Sequence, residues 1–366
     1  MAVAIPILRI RRANQKLECE LSDPKSMQII GFDKPIKLTE KLKKEILRHY
    51  VAILRMTRNE ETPNVAHFKR ELRVMGRKVW NVLGPIFERF DLNIREVTSL
   101  ALALDNETVQ IPWELALFKS KPCVHLCETI NIGRLRVVKS DSWYNPPPRR
   151  KRKPRALVVG IDYEDCRKDL GKLDWAEKEA EEIESILRGN GFLVVPLYGK
   201  KAKRHKIVKE LKRGVDIFHF TGHGRMVRDE NKIMAADGDI LANEITDVLG
   251  EIDAPALSFI NACETAIERA TVGESIWEAY SWAYALAEQG GRAFVGALWP
   301  IYEDEARLFS RRFYEELLGV EKRTLADSTR LARLHAKRTG KAKAIYTWPA
   351  YVLYGPPSLL IDDLLR

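Results

Sequence analysis

The sequence predicts an α/β protein, a mostly parallel sheet flanked by helices, preceded by an α/β N-terminal domain. Three observations carry this. From Ala156 onward, short apolar runs alternate with amphipathic helical stretches, the pattern of strands buried on both faces and joined by helical crossovers. Two of those runs, Val215 to Gly224 and Ala256 to Thr265, end abruptly in small residues. Ahead of them, Pro146-Pro147-Pro148 leads into Arg149, Arg150, Lys151, Arg152, Lys153 and Arg155. Proline cannot donate to a ladder and like charges repel, so this stretch reads as an exposed linker. The expected organisation is an N-terminal domain over 1–145, a basic Pro-rich linker over 146–155 and a second domain over 156–366.

The elements follow in order. Ile5 to Ile10 and Leu17 to Leu21 alternate as two short strands. Leu42, Ile46, Tyr50 and Leu54 fall at helical spacing within 38–55, and Phe68, Leu72, Met75, Val79, Val82 and Leu83 do so within 65–90. Gly84-Pro85 is expected to kink or divide that second helix. Thr98 to Leu104 reads as a strand, Asp105-Asn106 as a turn, and Val124 to Leu126 and Ile130 to Val138 as further short strands. Past the linker, Ala156 to Ile161 is an apolar strand and Asp174 to Leu187 an acidic helix. Strands at 192–197 and 292–298, helices at 204–212, 275–289, 303–317 and 325–338, and a last strand at Tyr351 to Tyr354 complete the alternation.

Composition narrows the class. The 366 residues are 45% hydrophobic, enough for a real core. No 18-residue apolar run exists to span a membrane. Charge follows rather than precedes the short apolar start, unlike a secretory signal. Five cysteines at irregular spacing make no disulfide framework, so a cytoplasmic setting is expected. Cys123, His125 and Cys127 alternate along an expected strand, but without a second ligand cluster the cysteines read as ordinary buried thiols and not as a metal site. The net charge of +10 permits a polyanion partner. A 31% charged fraction with four glutamines fits a heat-adapted surface as well.

The chemistry sits on the two abrupt runs. The first delivers His223 within Thr221-Gly222-His223-Gly224, the second Cys263 within Asn261-Ala262-Cys263-Glu264. Open parallel sheets bind ligands beyond the carboxyl ends of their strands, so both side chains are expected together at one edge. A thiol beside an imidazole is a cysteine nucleophile with its base. The backbone N–H groups of Gly224 and Cys263 are candidate oxyanion donors. His219, four positions earlier inside the strand, is expected to have a buried role instead.

These segments resemble the CHAT domain, a caspase-like branch of the cysteine peptidases. Ile111-Pro112-Trp113-Glu114-Leu115-Ala116-Leu117 is similar to an N-terminal family element. Ala156 to Gly160 and Ala176 to Ala180 resemble the first strand and acidic helix of the catalytic half, and His219 to Gly224 and Asn261 to Thr265 its two active-site motifs. Asp237 to Ile245 resembles the segment between those motifs, and Gly291 to Pro300 and Ala350 to Gly355 the closing strands. The resemblance implies a caspase-like catalytic domain at 156–366 and an N-terminal half that completes the unit, as a pseudo-caspase-like or regulatory domain.

It further implies a cysteine endopeptidase with Cys263 as nucleophile and His223 as general base, needing no cofactor. The P1 pocket of caspase relatives maps onto Asp162 and Asn261. Asp162 would favour a basic P1 side chain or be a turn residue, and Glu264 and Glu268 could line the site or cap a helix. For the basic linker three readings stand: a solvated spacer, a polyanion contact, or self-cleavage at Arg150, Arg152 or Arg155. The resemblance implies a protein substrate and an activating sensor protein or complex in a prokaryotic defence or signalling pathway. Nucleic acid enters only indirectly, and membrane not at all. The alternatives are a catalytically silent scaffold and a polyanion-binding effector, the latter suggested by basic runs at 200–206 and 333–343.

Overall fold

The computed structural model describes residues 6–13, 16–22, 29–31, 36–58, 64–118, 123–136, 152–227, 230–249, 254–264, 282–287 and 289–365, with backbone only at Ala13, Ser22, 29–31, 36–37, Arg58, Arg136, 225–227, Glu230, Thr246, Val248, Cys263 and Glu264. The N-terminal half opens with four strands, β1 (Ile7–Ala13), β2 (Lys16–Ser22), β3 (Ile29–Gly31) and β4 (Ile36–Lys37). Two long helices follow, α1 (Glu40–Arg58) and α2 (Val65–Arg89). Then come β5 (Ser99–Leu104), the short pair β6 (Leu117–Phe118) and β7 (Val124–His125), α3 (Leu126–Thr129) and β8 (Asn131–Arg136).

The second half alternates as its sequence pattern requires. It runs β9 (Arg155–Gly160), α4 (Ala176–Gly189), β10 (Leu193–Tyr198), α5 (Arg204–Lys212) and β11 (Ile217–Val227). A hairpin, β12 (Glu230–Ala235) and β13 (Gly238–Leu241), leads into α6 (Glu244–Leu249) and β14 (Leu257–Glu264). A helix α7, described over 282–287, precedes β15 (Ala293–Ala297). The chain closes with α8 (Glu303–Leu318), α9 (Leu325–Thr339), α10 (Ala342–Thr347), β16 (Tyr351–Tyr354) and α11 (Ile361–Leu364).

Strands from both halves form one 14-stranded sheet in the order β10-β9-β11-β14-β15-β16-β8-β5-β1-β2-β3, with β12 pairing β11, β13 pairing β12 and β4 pairing β2 off this path. The pairs from β10 through β15 are parallel, as are β16–β8, β8–β5 and β5–β1. β15–β16 and the outer N-terminal pairs are antiparallel. The two halves meet inside this sheet, where Tyr354 of β16 is in register with Arg134 of β8. The basic stretch of 146–155 therefore does not separate two unrelated sheets. Its described end is fixed: Arg152 donates to both oxygens of Asp216, at 2.9 and 3.2 Å, and Arg155 opens the paired strand β9.

Both faces of the central strands are covered, which explains why their sequences are apolar without alternation. On one face Ala156, Val158, Phe259 and Val295 pack against Ile183 and Leu187 of α4 and Phe309 and Phe313 of α8. On the other, Leu157, Val159, Phe220 and Phe294 pack with Ile207 of α5, Ile245 of α6 and Leu286 of α7, in a core that continues to α1 and α2. The helix α2 runs unbroken past Gly84-Pro85 to Arg89, so the expected division there does not occur. Among the described residues, no helix is long and apolar enough to cross a membrane.

Candidate active site

β9, β11, β14 and β15 are mutually parallel, so their carboxyl ends share one edge of the sheet. Near that edge His223 of β11 and Cys263 of β14 are register partners on adjacent strands, as are Thr221 and Asn261 two positions earlier. The sequence reading put both residues where their apolar runs end in small residues, at the carboxyl ends of the strands. β11 instead continues four residues beyond His223 and pairs with β12, while Cys263 is the penultimate residue of β14. The flanking glycines serve close approach rather than turning. A Cβ on Gly222 would lie 2.6 Å from the Tyr163 hydroxyl, and one on Gly224 would lie 2.8 Å from Ala262 Cβ.

The loop after β9 fixes His223. Its imidazole is 4% exposed. Nε2 lies 2.7 Å from the Gly171 carbonyl oxygen. A carbonyl only accepts, so Nε2 carries the hydrogen and Nδ1 is the ring's acceptor in the neutral form. The Tyr163 ring packs on the imidazole at 4.7 Å between centroids. Its hydroxyl accepts the His223 N–H at 2.9 Å and donates to the Met234 carbonyl at 2.6 Å. Tyr163 adopts a left-handed backbone, φ 65°, a conformation that a non-glycine residue holds only when its surroundings over-determine it. Burial, assisted by the nearby Arg167 charge, lowers the His223 pKa below the usual imidazole value, against the pull of the Gly171 carbonyl.

A buried polar cluster lies one pleat repeat behind these positions. Glu179 of α4, 1% exposed, accepts from Asn261 Nδ2 at 2.6 Å and from Thr221 Oγ1 at 3.3 Å. One carboxylate thus grips both strands, at the residues two before His223 and two before Cys263. His219 is fully buried, with Nε2 3.1 Å from the same carboxylate, and it packs between Phe259 and Tyr314. That matches the interior role expected of it. Asn261 Oδ1 accepts from Tyr351 at 2.8 Å, so both ends of this amide are engaged inside the protein rather than turned to a pocket.

Asp162 sits beside Tyr163 in the same loop, half-buried. Its Oδ1 accepts from the Glu164 N–H at 3.3 Å, a turn bond. Burial and the Asp162 charge raise the Glu177 pKa, so two carboxyl groups meet at the end of β9. Arg152 and Arg155 are not brought to the site. Arg155 begins β9, at the sheet edge opposite His223, and donates to Glu210 at 3.1 Å. Arg149, Arg150 and Glu268 lie outside the described residues. Cys123, His125 and Cys127 share no common environment. Cys127 is buried as expected, but Cys123 is exposed, and the chain turns from β7 into α3 between them, so they do not share one strand, while His125 Nδ1 lies 2.7 Å from the Leu115 carbonyl. Among the described residues, no group of three or more His, Cys, Asp or Glu is placed to hold a metal.

Sequence reasoning missed Tyr163, Gly171 and Glu179. Glu179 carried a signal: it interrupts the apolar stripe of Ala176, Ala180, Ile183 and Leu187 in α4, where a carboxylate must find buried partners. Tyr163 and Gly171 lie in a loop whose course no periodicity records.

The architecture, a mostly parallel sheet between helical layers with a histidine and a cysteine paired near its carboxyl edge, is the caspase-like class of α/β protein. The family model described as the CHAT domain matches residues 73–356, well over half of the sequence, and the chain belongs to that family. Among solved structures, it is similar to the separase–securin complex of Saccharomyces cerevisiae, with a TM-score of 0.60 and 12% identity, covering 97% of this chain and 30% of that one. It is similar to the Arg-specific cysteine proteinase gingipain R, at 0.53 and 13%, covering 78% of this chain and 68% of that one. The complex of RgpB pro- and mature domains from Porphyromonas gingivalis matches at 0.53 and 12%, covering 88% of this chain and 78% of that one. No curated protein matches this chain.

Proposed function

We propose that this chain is a cysteine endopeptidase working through His223 and Cys263. The observation that carries the reading is their register pairing on adjacent parallel strands, with the His223 ring oriented by the Gly171 carbonyl. Register partners of a parallel pair point to the same side of the pleat. In the reaction His223 Nδ1 takes the thiol proton and the Cys263 sulfur attacks the scissile carbonyl carbon. The expected oxyanion donors, the N–H groups of Gly224 and Cys263, lie in the paired strands β11 and β14, so this step requires the strand ends to part around the substrate before both N–H groups can meet the oxyanion. The imidazolium then protonates the leaving amine, and water, deprotonated by His223, hydrolyses the thioester.

The carboxyl pair of Asp162 and Glu177 favours Arg or Lys as the P1 side chain. Self-cleavage at Arg150 stays within this reading. Cleavage at Arg152 is disfavoured by its Asp216 clasp, and cleavage at Arg155 by its place inside β9. Separase and RgpB are each matched in complexes with protein partners, securin and a pro-domain. By analogy, a protein partner controls this site, in a prokaryotic defence or signalling pathway.

The test is a fluorogenic peptide panel varied at P1, run on wild type, Cys263→Ala and Asp162→Asn. Turnover should vanish in Cys263→Ala, and the preference for basic P1 should fall about 10- to 100-fold in Asp162→Asn, the worth of a charge-assisted contact. Equal turnover by wild type and Cys263→Ala would remove the peptidase reading.

A further inference from the structure

The basic runs most visible in the sequence are partly tied up in the fold. Arg333 is buried and donates to the carbonyls of Trp348, Cys127 and Tyr351. Arg204 donates to the Asp239 carbonyl and pairs with Glu244. Lys200 pairs with Asp165, and Lys337 with Glu128.

The outward face of α1 and α2 is different. The two helices are bridged by Lys78–Glu45 and His49–Glu71. These pairs run in opposite senses along the chain, so the helices are antiparallel. Their solvent sides carry Lys41, Lys44 and Arg48 on α1 and Lys69, Arg73 and Arg77 on α2, all exposed. None of the six lies within ion-pair distance of a carboxylate among the described residues; the nearby Glu40 and Glu45 are held by Arg12 and Lys78 and feel Lys44, Lys41 and Arg48 only at longer range. Spacings of three and four residues put one cation on each turn, about every 5.4 Å.

We infer that this face binds the phosphate backbone of a nucleic-acid duplex, without reading its sequence. Charge selects a polyanion, and the rest of the surface selects its kind. A protein interface needs buried aromatic or aliphatic anchors, but the exposed large hydrophobic residues among those described are Leu193 and Val320, both in the other half. Single strands are held by stacking on exposed aromatic rings, and neither helix exposes a Phe, Tyr or Trp, Trp80 being only partly exposed. Phosphates need only cations. The inner side of the same helices reaches the site edge. Tyr50 of α1 donates to the Leu298 carbonyl just past β15, and Trp299 packs edge-on against Tyr50 and Phe68 at 6.1 and 6.2 Å. A duplex on the outer face therefore bears on helices that hold the segment beside the proposed dyad. The binding itself is independent of any peptidase activity.

The experiment is fluorescence anisotropy with labelled 20-base-pair DNA and RNA duplexes from about 50 to 200 mM salt, the range over which phosphate contacts lose their affinity. It compares wild type with two triple variants, Lys41→Gln/Lys44→Gln/Arg48→Gln and Lys69→Gln/Arg73→Gln/Arg77→Gln. A linker variant, Arg149→Gln/Arg150→Gln/Lys151→Gln, serves as a control. Each lost phosphate contact should reduce the log–log salt slope by about 0.9, so each helix variant should lose about 2–3 from the slope and the linker variant nothing. Thermal midpoints should be unchanged, since all six side chains are exposed. The inference is overturned if wild type does not bind at about 50 mM salt. It is also overturned if the slope follows the linker rather than the helices, or if polyglutamate competes as well as an equally charged duplex, which would indicate an acidic protein instead.

Discussion

Replacing Glu114 by Ala should cost about 3–5 kcal/mol of folding stability, the usual result of stripping one partner from a buried ion pair. Arg134 and Glu114 are 1% and 3% exposed. Their fork is bidentate, Nε to Oε1 at 2.6 Å and Nη2 to Oε2 at 2.7 Å. The other guanidinium hydrogens go to the carbonyls of Val109 and Ile111 and to the Tyr354 hydroxyl, so all five donors are used. Burial would raise the Glu114 pKa, but the charge and hydrogen bonds of Arg134 outweigh it and hold the carboxyl below its ordinary value. Arg134 is also the register partner of Tyr354, where the two halves share the sheet. Losing Glu114 therefore weakens the join and not only the N-terminal half. Urea unfolding should show the loss in both halves together. A change below about 1 kcal/mol, the size typical of an exposed pair, would contradict the role assigned to this fork.

Replacing His223 by Ala should lower peptide turnover about 10²- to 10⁴-fold, the contribution typical of a positioned acid–base group. The pH profile carries the sharper prediction. Burial disfavours the imidazolium, so the neutral base persists to lower pH than in a free histidine. The acid limb of kcat/KM in wild type should lie below about pH 6.5, the ordinary imidazole value. His219→Ala should behave differently, by destabilising the core around Glu179 without moving the limb. A limb at or above pH 6.5, or turnover that survives His223→Ala and dies with His219→Ala, would contradict the assignment.

Much of this was legible in the sequence because it is local. Ala156 to Gly160 reads as a strand buried on both faces, and it is one. The interior place of His219 followed from its position along one strand, and the structure buries it against Glu179. What was not legible depends on distant partners. Nothing near Arg134 announces that β8 will lie beside β16, because the join rests on a register with Tyr354, 220 positions away. Tyr163 owes its position to a left-handed turn and to contacts with His223 and Met234. Charge misled in a similar way. Basic runs stand out along a chain, but Arg333 and Arg204 turn inward, while the exposed cations Lys41, Lys44, Arg48, Lys69, Arg73 and Arg77 of α1 and α2 are interleaved with apolar core positions such as Ile46 and Leu72.

The central claim is that His223 activates Cys263, and it can be tested without knowing the substrate. The measurement is the rate of iodoacetamide alkylation at each cysteine, read by peptide mass mapping from about pH 5 to 9, the interval that brackets free and activated thiols. The exposed Cys123 serves as an internal reference. Cys263 should react faster than Cys123 near pH 6, and that excess should disappear in His223→Ala. A Cys263 that reacts no faster than Cys123 at any pH, and is indifferent to the loss of His223, would contradict the account.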